Sequence, residues 1–469
     1  MFIQVIAVAG LLAGLLAVPG PVEWRSCGSG RPPDMRCSSV EVPVDWARPG
    51  GRRVSLPVAT LPHTGAGPRL GVVFSVPGGP GGSGLEDFAS YAESFAHLRE
   101  RFDVVTFAPR NAGALGVLPR ECFTTGPWLT RPDSRAAYDA LGVTVAAAVR
   151  RCRDHDPEFF DHLDSASVAR DIDAVRDALG ERRLSFLATS YGGVPAVAYA
   201  RLFPGRVRAM YLDGAVNQLR SPLEDALSRY ATYERQFRRF AGWCDASAGC
   251  PLKDTGRRWR ALIAAADRAP IRVKGEVAYS GFDLQVAAMP HLVSPGPDHA
   301  RWRQLAQAIV RAESGDATGF ATYVEAGTGS PKPPSYVAMN ATHCADGLRF
   351  RDYGEYRAVR ALGERVAPDL PGMGLWHRLG CVGWPPAANP VAPLPATGLP
   401  PFLGAGTWTD HDDTADIVRR VPGSSTVRFD GPGHGLYLTG NACVIGYADA
   451  YLEDLRLPPR GTVCPGVKG

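Results

Sequence analysis

The sequence has no dense run of lysine and arginine, although it carries 51 basic and 47 acidic residues for a net charge of +4. Nucleic-acid binding usually needs a basic patch or stripe on one face, so we expect no nucleic-acid partner. Internal repeats are absent as well. A chain of 469 residues that is 45% hydrophobic can bury a large core, and we therefore expect a folded globular protein.

The cysteines lack the CxxC spacing that is typical of zinc and redox dithiol sites. Instead they fall into five neighbouring couples: Cys27 with Cys37, Cys122 with Cys152, Cys244 with Cys250, Cys344 with Cys381, and Cys443 with Cys464. An even number spread in this way predicts five local disulfides, with metal or redox chemistry as the alternative. Disulfides in turn indicate an oxidising compartment.

Residues 2–18 are apolar apart from Gln4 and small glycines, but no basic residue precedes the run and no clear small-x-small site follows it. Residues 1–21 nevertheless resemble a signal peptide, so we expect a secreted, extracellular protein with no stable membrane partner. An uncleaved leader that anchors the chain is the second choice, because a membrane span needs about 20 apolar residues.

Strand and helix signals alternate in the first half of the chain, which predicts an α/β fold with a mostly parallel sheet and helices on both faces. The segment 70–76 is a continuous apolar run and 102–107 is a second run that we expect to be buried, so we expect the two to be adjacent central strands. The other predicted strands are 53–59 at an edge, 184–188 and 207–212, and the predicted helices are 165–179 and 194–202.

Helical segments rich in arginine and aromatics replace this alternation between about 216 and 395, and strand signals resume at 402–406 and 425–429 before a last helix at 444–455. The simplest arrangement is one sheet domain with an inserted helical cap. The predicted divisions are a leader at 1–21, the first part of the core at 22–215, the cap at 216–395 and the last part of the core at 396–469.

The segment 188–193, Ala-Thr-Ser-Tyr-Gly-Gly, lies between a predicted strand and a predicted helix. A nucleophile elbow needs small residues two before and two after the serine because the turn is strained. Ala188 and Gly192 meet that need. Ser190 is therefore the candidate nucleophile, and the alternative is an ordinary tight turn.

A glycine-rich loop, Pro-Gly-Gly-Pro-Gly-Gly-Ser-Gly at 77–84, follows the strand 70–76. Glycines let backbone N–H groups come close to a substrate oxygen. We expect the amides of Gly79 and Tyr191 to form an oxyanion hole. A phosphate-binding loop is the alternative, but the loop lacks Gly-Lys-Ser/Thr.

His434 lies in a glycine-rich turn after the last predicted strand, and it comes after the serine and an acid in chain order. It is the candidate general base. Asp410 is nearest to the end of strand 402–406 and is the first candidate acid, followed by Asp412, with Asp413 as a possible helix N-cap. The Asp-His-Asp string at 410–412 also suggests a metal, but no other ligand cluster accompanies it, so we expect neither metal nor cofactor.

With these residues in place, the chain resembles the secreted tripeptidyl aminopeptidases of the α/β-hydrolase superfamily, relatives of the proline iminopeptidases. The resemblance implies an α/β-hydrolase fold with a helical cap, and an exopeptidase that releases residues or tripeptides from a free N-terminus through an acyl-enzyme on Ser190. It covers nearly the whole chain after the leader and rests on residues 77–84, 169–172, 190–193, 212–214, 381–385, 440–443 and 461–464.

Three departures from the family pattern bear on substrate and efficiency. Residues 108–111 are Ala-Pro-Arg-Asn where the family has Asp-Pro-Arg-Gly, so a supporting carboxylate is missing. Residues 410–414 replace the family's Asp-Pro-x-Thr-Pro, and Val76 replaces a polar residue.

An exopeptidase needs a cap carboxylate that pairs with the substrate ammonium, and the candidates are Glu224, Asp225, Glu234 and Asp245. The substrate is then a peptide. An esterase or amidase that acts on small acyl compounds is the alternative, because the same catalytic residues perform both reactions. A catalytically silent binding protein is a third hypothesis, supported by the altered segment 108–111.

Overall fold

The structure is a computed structural model and describes residues 22–79, 83–111, 115–119, 122, 128–274, 277–321 and 343–466. The predicted leader at 1–21 and residues 80–82 of the glycine-rich loop lie outside these ranges. None of the helices within the described ranges combines the length and apolar character that crossing a bilayer requires.

One large sheet runs through the described part of the chain, and its strand order is β1-β2-β3-β5-β4-β6-β7-β10-β11-β12. The strands are β1 (Arg25–Ser26), β2 (Arg36–Pro43), β3 (Arg53–Leu61), β4 (Val72–Val76), β5 (Asp103–Phe107), β6 (Leu184–Thr189), β7 (Val207–Asp213), β10 (Leu403–Gly406), β11 (Ser425–Phe429) and β12 (Thr462–Cys464). A separate hairpin pairs β8 (Ile271–Lys274) with β9 (Val277–Tyr279).

The pairing of the strands is parallel from β5 through β12 and antiparallel from β1 to β5. β4 and β5 are adjacent, as predicted. Every residue of β4 and β6 is buried, because both faces of the parallel part are covered. The prediction that 53–59 is an edge strand was wrong, since β2 pairs along the whole of β3 on its outer side.

Helices occupy both faces of the sheet and the long connection between β7 and β10. They are α1 (Gly84–Ser90), α2 (Arg135–Arg153), α3 (Pro157–Phe160), α4 (Ser165–Ala178), α5 (Gly193–Leu202), α6 (Pro222–Ala246), α7 (Thr255–Arg268), α8 (Gly281–Val293), α9 (Ala300–Glu313), α10 (Tyr353–Val366), α11 (Trp376–Leu379), α12 (His411–Arg419) and α13 (Ala442–Asp454). The mostly parallel sheet with flanking helices confirms the predicted fold class.

The helix α4 illustrates how local sequence sets these elements. Asp164 caps its N-terminus by accepting the amide of Ser167 at 2.9 Å, which satisfies one of the free N–H groups of the first turn. Val168 and Ile172 lie fully buried on one face, in agreement with the predicted periodicity.

The connection between β7 and β10 contains helices α6 to α11 and the small hairpin, and within its described residues it adds no strand to the main sheet. The division of the chain into a core and a cap at residues 215 and 395 stays a prediction. All five predicted cysteine couples are joined as disulfides, which confirms that expectation.

Arg110, which follows β5, and Asp171 of α4 form a fully buried ion pair. The guanidinium donates to both carboxylate oxygens, at 2.6 and 2.7 Å, and to the carbonyl oxygen of Val44 at 2.6 Å. Trp46 Nε1 donates to the same carboxylate at 3.0 Å. The pair therefore joins the end of β5 to α4 and to the loop after β2.

We expect Arg110→Ala to lower the free energy of unfolding by about 3 to 5 kcal/mol, because it leaves a buried carboxylate without its counter-ion. Arg351→Ala is the matched control. Its partner is Asp352, both side chains are more than half exposed, and such surface pairs contribute about 0 to 1 kcal/mol. Denaturant unfolding followed by tryptophan fluorescence measures both, and equal small losses would contradict the prediction.

Candidate active site

Ser190 lies at the tight turn between β6 and α5, as predicted, and its φ is +58°. This left-handed conformation is costly for a residue with a side chain and is typical of nucleophile elbows. The chain after it forms a short 3₁₀ turn, Ser190–Gly192, that leads directly into α5. Ser190 is therefore displayed at the carboxyl end of the parallel strands.

The glycines around this turn are required by close backbone approaches. A Cβ atom on Gly192 would lie 2.3 Å from the carbonyl oxygen of Val76, at the end of β4. A Cβ on Gly193 would lie 2.5 Å from the Cβ of Ala215. The elbow can therefore pack against both neighbouring strand ends only with glycine at these positions.

The glycine-rich loop begins beside Ser190. A Cβ on Gly78 would lie 3.1 Å from the Cβ of Ser190, and Gly79 has a φ of +117°. Tyr191 is buried directly after the serine. The loop thus starts at the place where an oxyanion hole would be needed, and the assignment of the Gly79 and Tyr191 amides stays a prediction.

His434 and Asp410 come together after two neighbouring strands. His434 Nδ1 donates to Asp410 Oδ2 at 2.6 Å, and the other carboxylate oxygen accepts the amide of Thr407 at 2.6 Å. A Cβ on Gly214 would lie 3.1 Å from His434 Cε1 and 2.7 Å from Asp410 Oδ2. The imidazole and its carboxylate are therefore packed against the chain that leaves β7.

The other two aspartates of this segment have different partners. Asp412 pairs with Arg235 at 2.8 Å and its side chain is 61% exposed. Asp413 pairs with Arg220 and accepts the hydroxyl of Ser228 at 2.9 Å. The helix α12 begins at His411, so Asp413 lies inside its first turn and is not its N-cap.

Burial lowers the pKa of His434, but the hydrogen bond and charge of Asp410 and the charge of Asp213 raise it, and the net pKa lies above the usual histidine value. Asp213 is a fully buried carboxylate at the end of β7. Sequence reasoning did not give it a role, although Leu-Asp-Gly at 212–214 was part of the family resemblance.

A polar cluster around Tyr191 was also not predicted. Asn111 Nδ2 donates to the Tyr191 hydroxyl at 3.2 Å, and the ring of His343 meets the Tyr191 ring edge-on at 5.3 Å. Gln218 donates to His343 Nδ1 at 2.7 Å. Burial lowers the pKa of His343 to about 3, so this imidazole stays neutral. Asn111, which replaces the family's glycine, was the only sequence signal.

The candidate ammonium-binding carboxylates have partners within the protein. Glu224 forms the capping box of α6 with Ser221, and Glu234 accepts the amide of Asp369 at 3.2 Å. Asp245 accepts the amide and hydroxyl of Thr255, and Asp225 is buried against Arg229 and Arg378. These contacts do not bring Glu224 or Glu234 to Ser190, so their role in substrate binding stays a prediction.

We expect Gly192→Ala to abolish reaction of Ser190 with a fluorophosphonate probe, because the new methyl group collides with the Val76 carbonyl and the elbow must open. Gly205→Ala is the control, since a Cβ there meets nothing within 4 Å. Labelling rates of the two purified variants, with circular dichroism to verify folding, measure the difference. Normal labelling of Gly192→Ala would contradict the elbow geometry.

Comparison with known proteins places this architecture in a family. The family model described as "alpha/beta hydrolase fold" matches residues 71–259, and the family model described as "TAP-like protein" matches residues 372–464. The chain is 31% identical to Carboxylesterase B of Mycobacterium tuberculosis, over 97% of this chain and 92% of that protein. It is 29% identical to Serine protease Hip1 of the same organism, over 98% and 96%. It is also 27% identical to Tripeptidyl aminopeptidase of Streptomyces lividans, over 97% and 88%. The chain therefore belongs to the TAP-like family of α/β hydrolases and is a serine hydrolase.

Proposed function

We propose that the protein is a secreted exopeptidase that releases short peptides from a free N-terminus, with Ser190, His434 and Asp410 as its catalytic residues. The observation that carries the proposal is the 2.6 Å contact of His434 with Asp410, together with a serine held at a φ of +58°. The histidine loop lies against the residue before that serine, since a Cβ on Gly435 would lie 3.2 Å from Thr189 Cγ2. The relatives named serine protease and tripeptidyl aminopeptidase support peptides as substrates. The five disulfides support an oxidising, extracellular location.

In the proposed reaction, the Ser190 oxygen attacks the scissile carbonyl carbon and His434 Nε2 takes the serine proton. Asp410 holds the other ring nitrogen as N–H, which keeps Nε2 free as the acceptor and stabilises the imidazolium. The amides of Gly79 and Tyr191 receive the oxyanion. The scissile C–N bond then breaks as His434 gives its proton to the departing amine, which leaves the N-terminal peptide joined to Ser190 as an ester. In the second half, His434 takes a proton from water as the water oxygen attacks this ester. The ester bond breaks as the proton returns to Ser190, and the peptide leaves as a carboxylic acid.

A short-chain esterase is the second candidate, favoured by the relative named Carboxylesterase B. Peptide and ester hydrolysis use the same nucleophile, base and oxyanion donors, so only measured substrate preference distinguishes the two functions. The requirement for a free ammonium group is the property that separates an exopeptidase from an esterase.

The test begins with fluorophosphonate labelling of the wild-type protein and of Ser190→Ala. It continues with release rates on a tripeptidyl chromogenic amide, its N-acetylated form, an aminoacyl amide and a short-chain ester. We expect labelling of the wild type alone and turnover of the tripeptidyl amide that acetylation abolishes. Turnover of the ester alone would favour the esterase. Absence of labelling in the folded wild type would reject both enzyme functions and would favour a catalytically silent binding protein.

Asp410→Asn should lower kcat/KM by about 10³ to 10⁴-fold, because the amide no longer fixes the imidazole tautomer. Asp412→Asn is the control and should stay near wild type, since that side chain is exposed and pairs with Arg235. The reverse ranking of the two variants would identify Asp412 as the acid.

The wild-type rate should fall on the acid side at a pH above the usual histidine pKa, because only neutral His434 can accept the serine proton and its pKa is raised. In Asp410→Asn this acid limb should move to lower pH, since the carboxylate that favours the imidazolium is gone. A pH profile of kcat/KM for both proteins measures the shift, and an unchanged limb would contradict the assignment.

A further inference from the structure

Asp213 occupies the last position of β7 and lies beside the strand that ends in Ser190 and the strand that leads to Asp410. Its Cα is paired with Thr189 of β6 on one side and with Ala405 of β10 on the other. The side chain is fully buried. A carboxylate in this position is expensive to desolvate, so its contacts should explain why it is there.

Those contacts run to the loop that carries His434. Asp213 Oδ2 accepts the amide of Tyr437 at 2.7 Å. Tyr437 lies three residues after the histidine. His434 itself stands between Gly433 and Gly435, which have φ values of +120° and +64°. A loop with so little conformational restriction of its own needs an external anchor to hold the imidazole.

The second oxygen, Oδ1, makes no hydrogen bond with any described residue, although it is buried. The titratable groups that face this carboxylate are His434, Asp410, Tyr211, Tyr437 and, through the two tyrosines, Asp449. Burial and the charge of Asp410 raise the pKa of Asp213 to about 6. His434 thus has the carboxylate of Asp410 in direct contact, and the charge of Asp213 adds to the stabilisation of an imidazolium.

We propose that Asp213 is a positioning residue for His434. It fixes the loop 434–437 through the amide of Tyr437 and supplies a second negative charge to the imidazole. The proposal rests on the base role of His434 proposed above. It differs from the role of Asp410, because Asp213 acts through the loop and the field and not through the Nδ1 proton.

The main test is Asp213→Asn, which keeps the shape and one acceptor oxygen but removes the charge. The readout is the second-order rate of fluorophosphonate labelling of Ser190 as a function of pH. We expect the rate at alkaline pH to fall by about 10- to 100-fold, the scale on which lost orientation acts. We also expect the acid limb of the profile to move to lower pH.

The matched control is Asp449→Asn. Asp449 accepts the hydroxyl of Tyr437 at 2.7 Å, so this variant loosens the same tyrosine without removing a charge next to His434. Its acid limb should coincide with that of the wild type. A folded Asp213→Asn with the rate and acid limb of the wild type, or an equal shift in Asp449→Asn, would overturn the proposal.

A measurement on the wild type serves if Asp213→Asn does not fold. Titration of the His434 ring by NMR with labelled histidine should show a second inflection near pH 6, where Asp213 ionises. A single step would overturn the proposal. Because this titration needs no turnover, failure of the wild type to label at Ser190 would reject the proposed function while the effect of Asp213 on His434 is still tested.

Discussion

The left-handed conformation of Ser190 is the constraint on which the rest of the site depends. The turn after β6 can hold the Ser190 side chain at the edge of the sheet only if the ends of the neighbouring strands come very close to it. The carbonyl of Val76 occupies the space that a Cβ on Gly192 would need, and Gly193 meets Ala215 in the same way. The strain at one residue is therefore tolerated because buried parallel strands on both sides hold it. The glycines are a consequence of that packing.

The charges of the site follow from the same geometry. Parallel strands bring their carboxyl ends to one edge of the sheet, so β7, β10 and β11 deliver Asp213, Asp410 and His434 to a common place. At that edge the burial that would lower the histidine pKa is outweighed by two carboxylates. A second buried charge is compensated after β5, where Arg110 is neutralised by the carboxylate of Asp171 from α4.

The sequence predicted what depends on local pattern. Neighbouring residues are enough to predict the apolar runs of β4, β5 and β6, the amphipathic α4 and the glycines around Ser190. The order of serine, acid and histidine along the chain suggested the site. Features that depend on distant pairing were not readable. β2 has the mixed sequence Arg-Cys-Ser-Ser-Val-Glu-Val-Pro, and it is a strand because β3 pairs with it.

The contact that anchors the loop of His434 joins residues that are distant in the sequence, which explains why the sequence alone does not indicate a role for Asp213. Its partner Tyr437 is 224 residues away in the sequence. An aspartate at the end of an apolar strand has no local sequence feature that distinguishes a helix cap, a surface charge and a buried anchor.

The disulfides, in contrast, join cysteines that are close in the sequence. They span between 6 and 37 residues, so they were predictable from spacing, and each one restrains only its own neighbourhood. None of the five joins the strand of Ser190 to the loop of His434. The relative position of Ser190 and His434 is therefore set by sheet register and by buried polar contacts such as that of Asp213, and covalent cross-links stabilise the surroundings without defining the site.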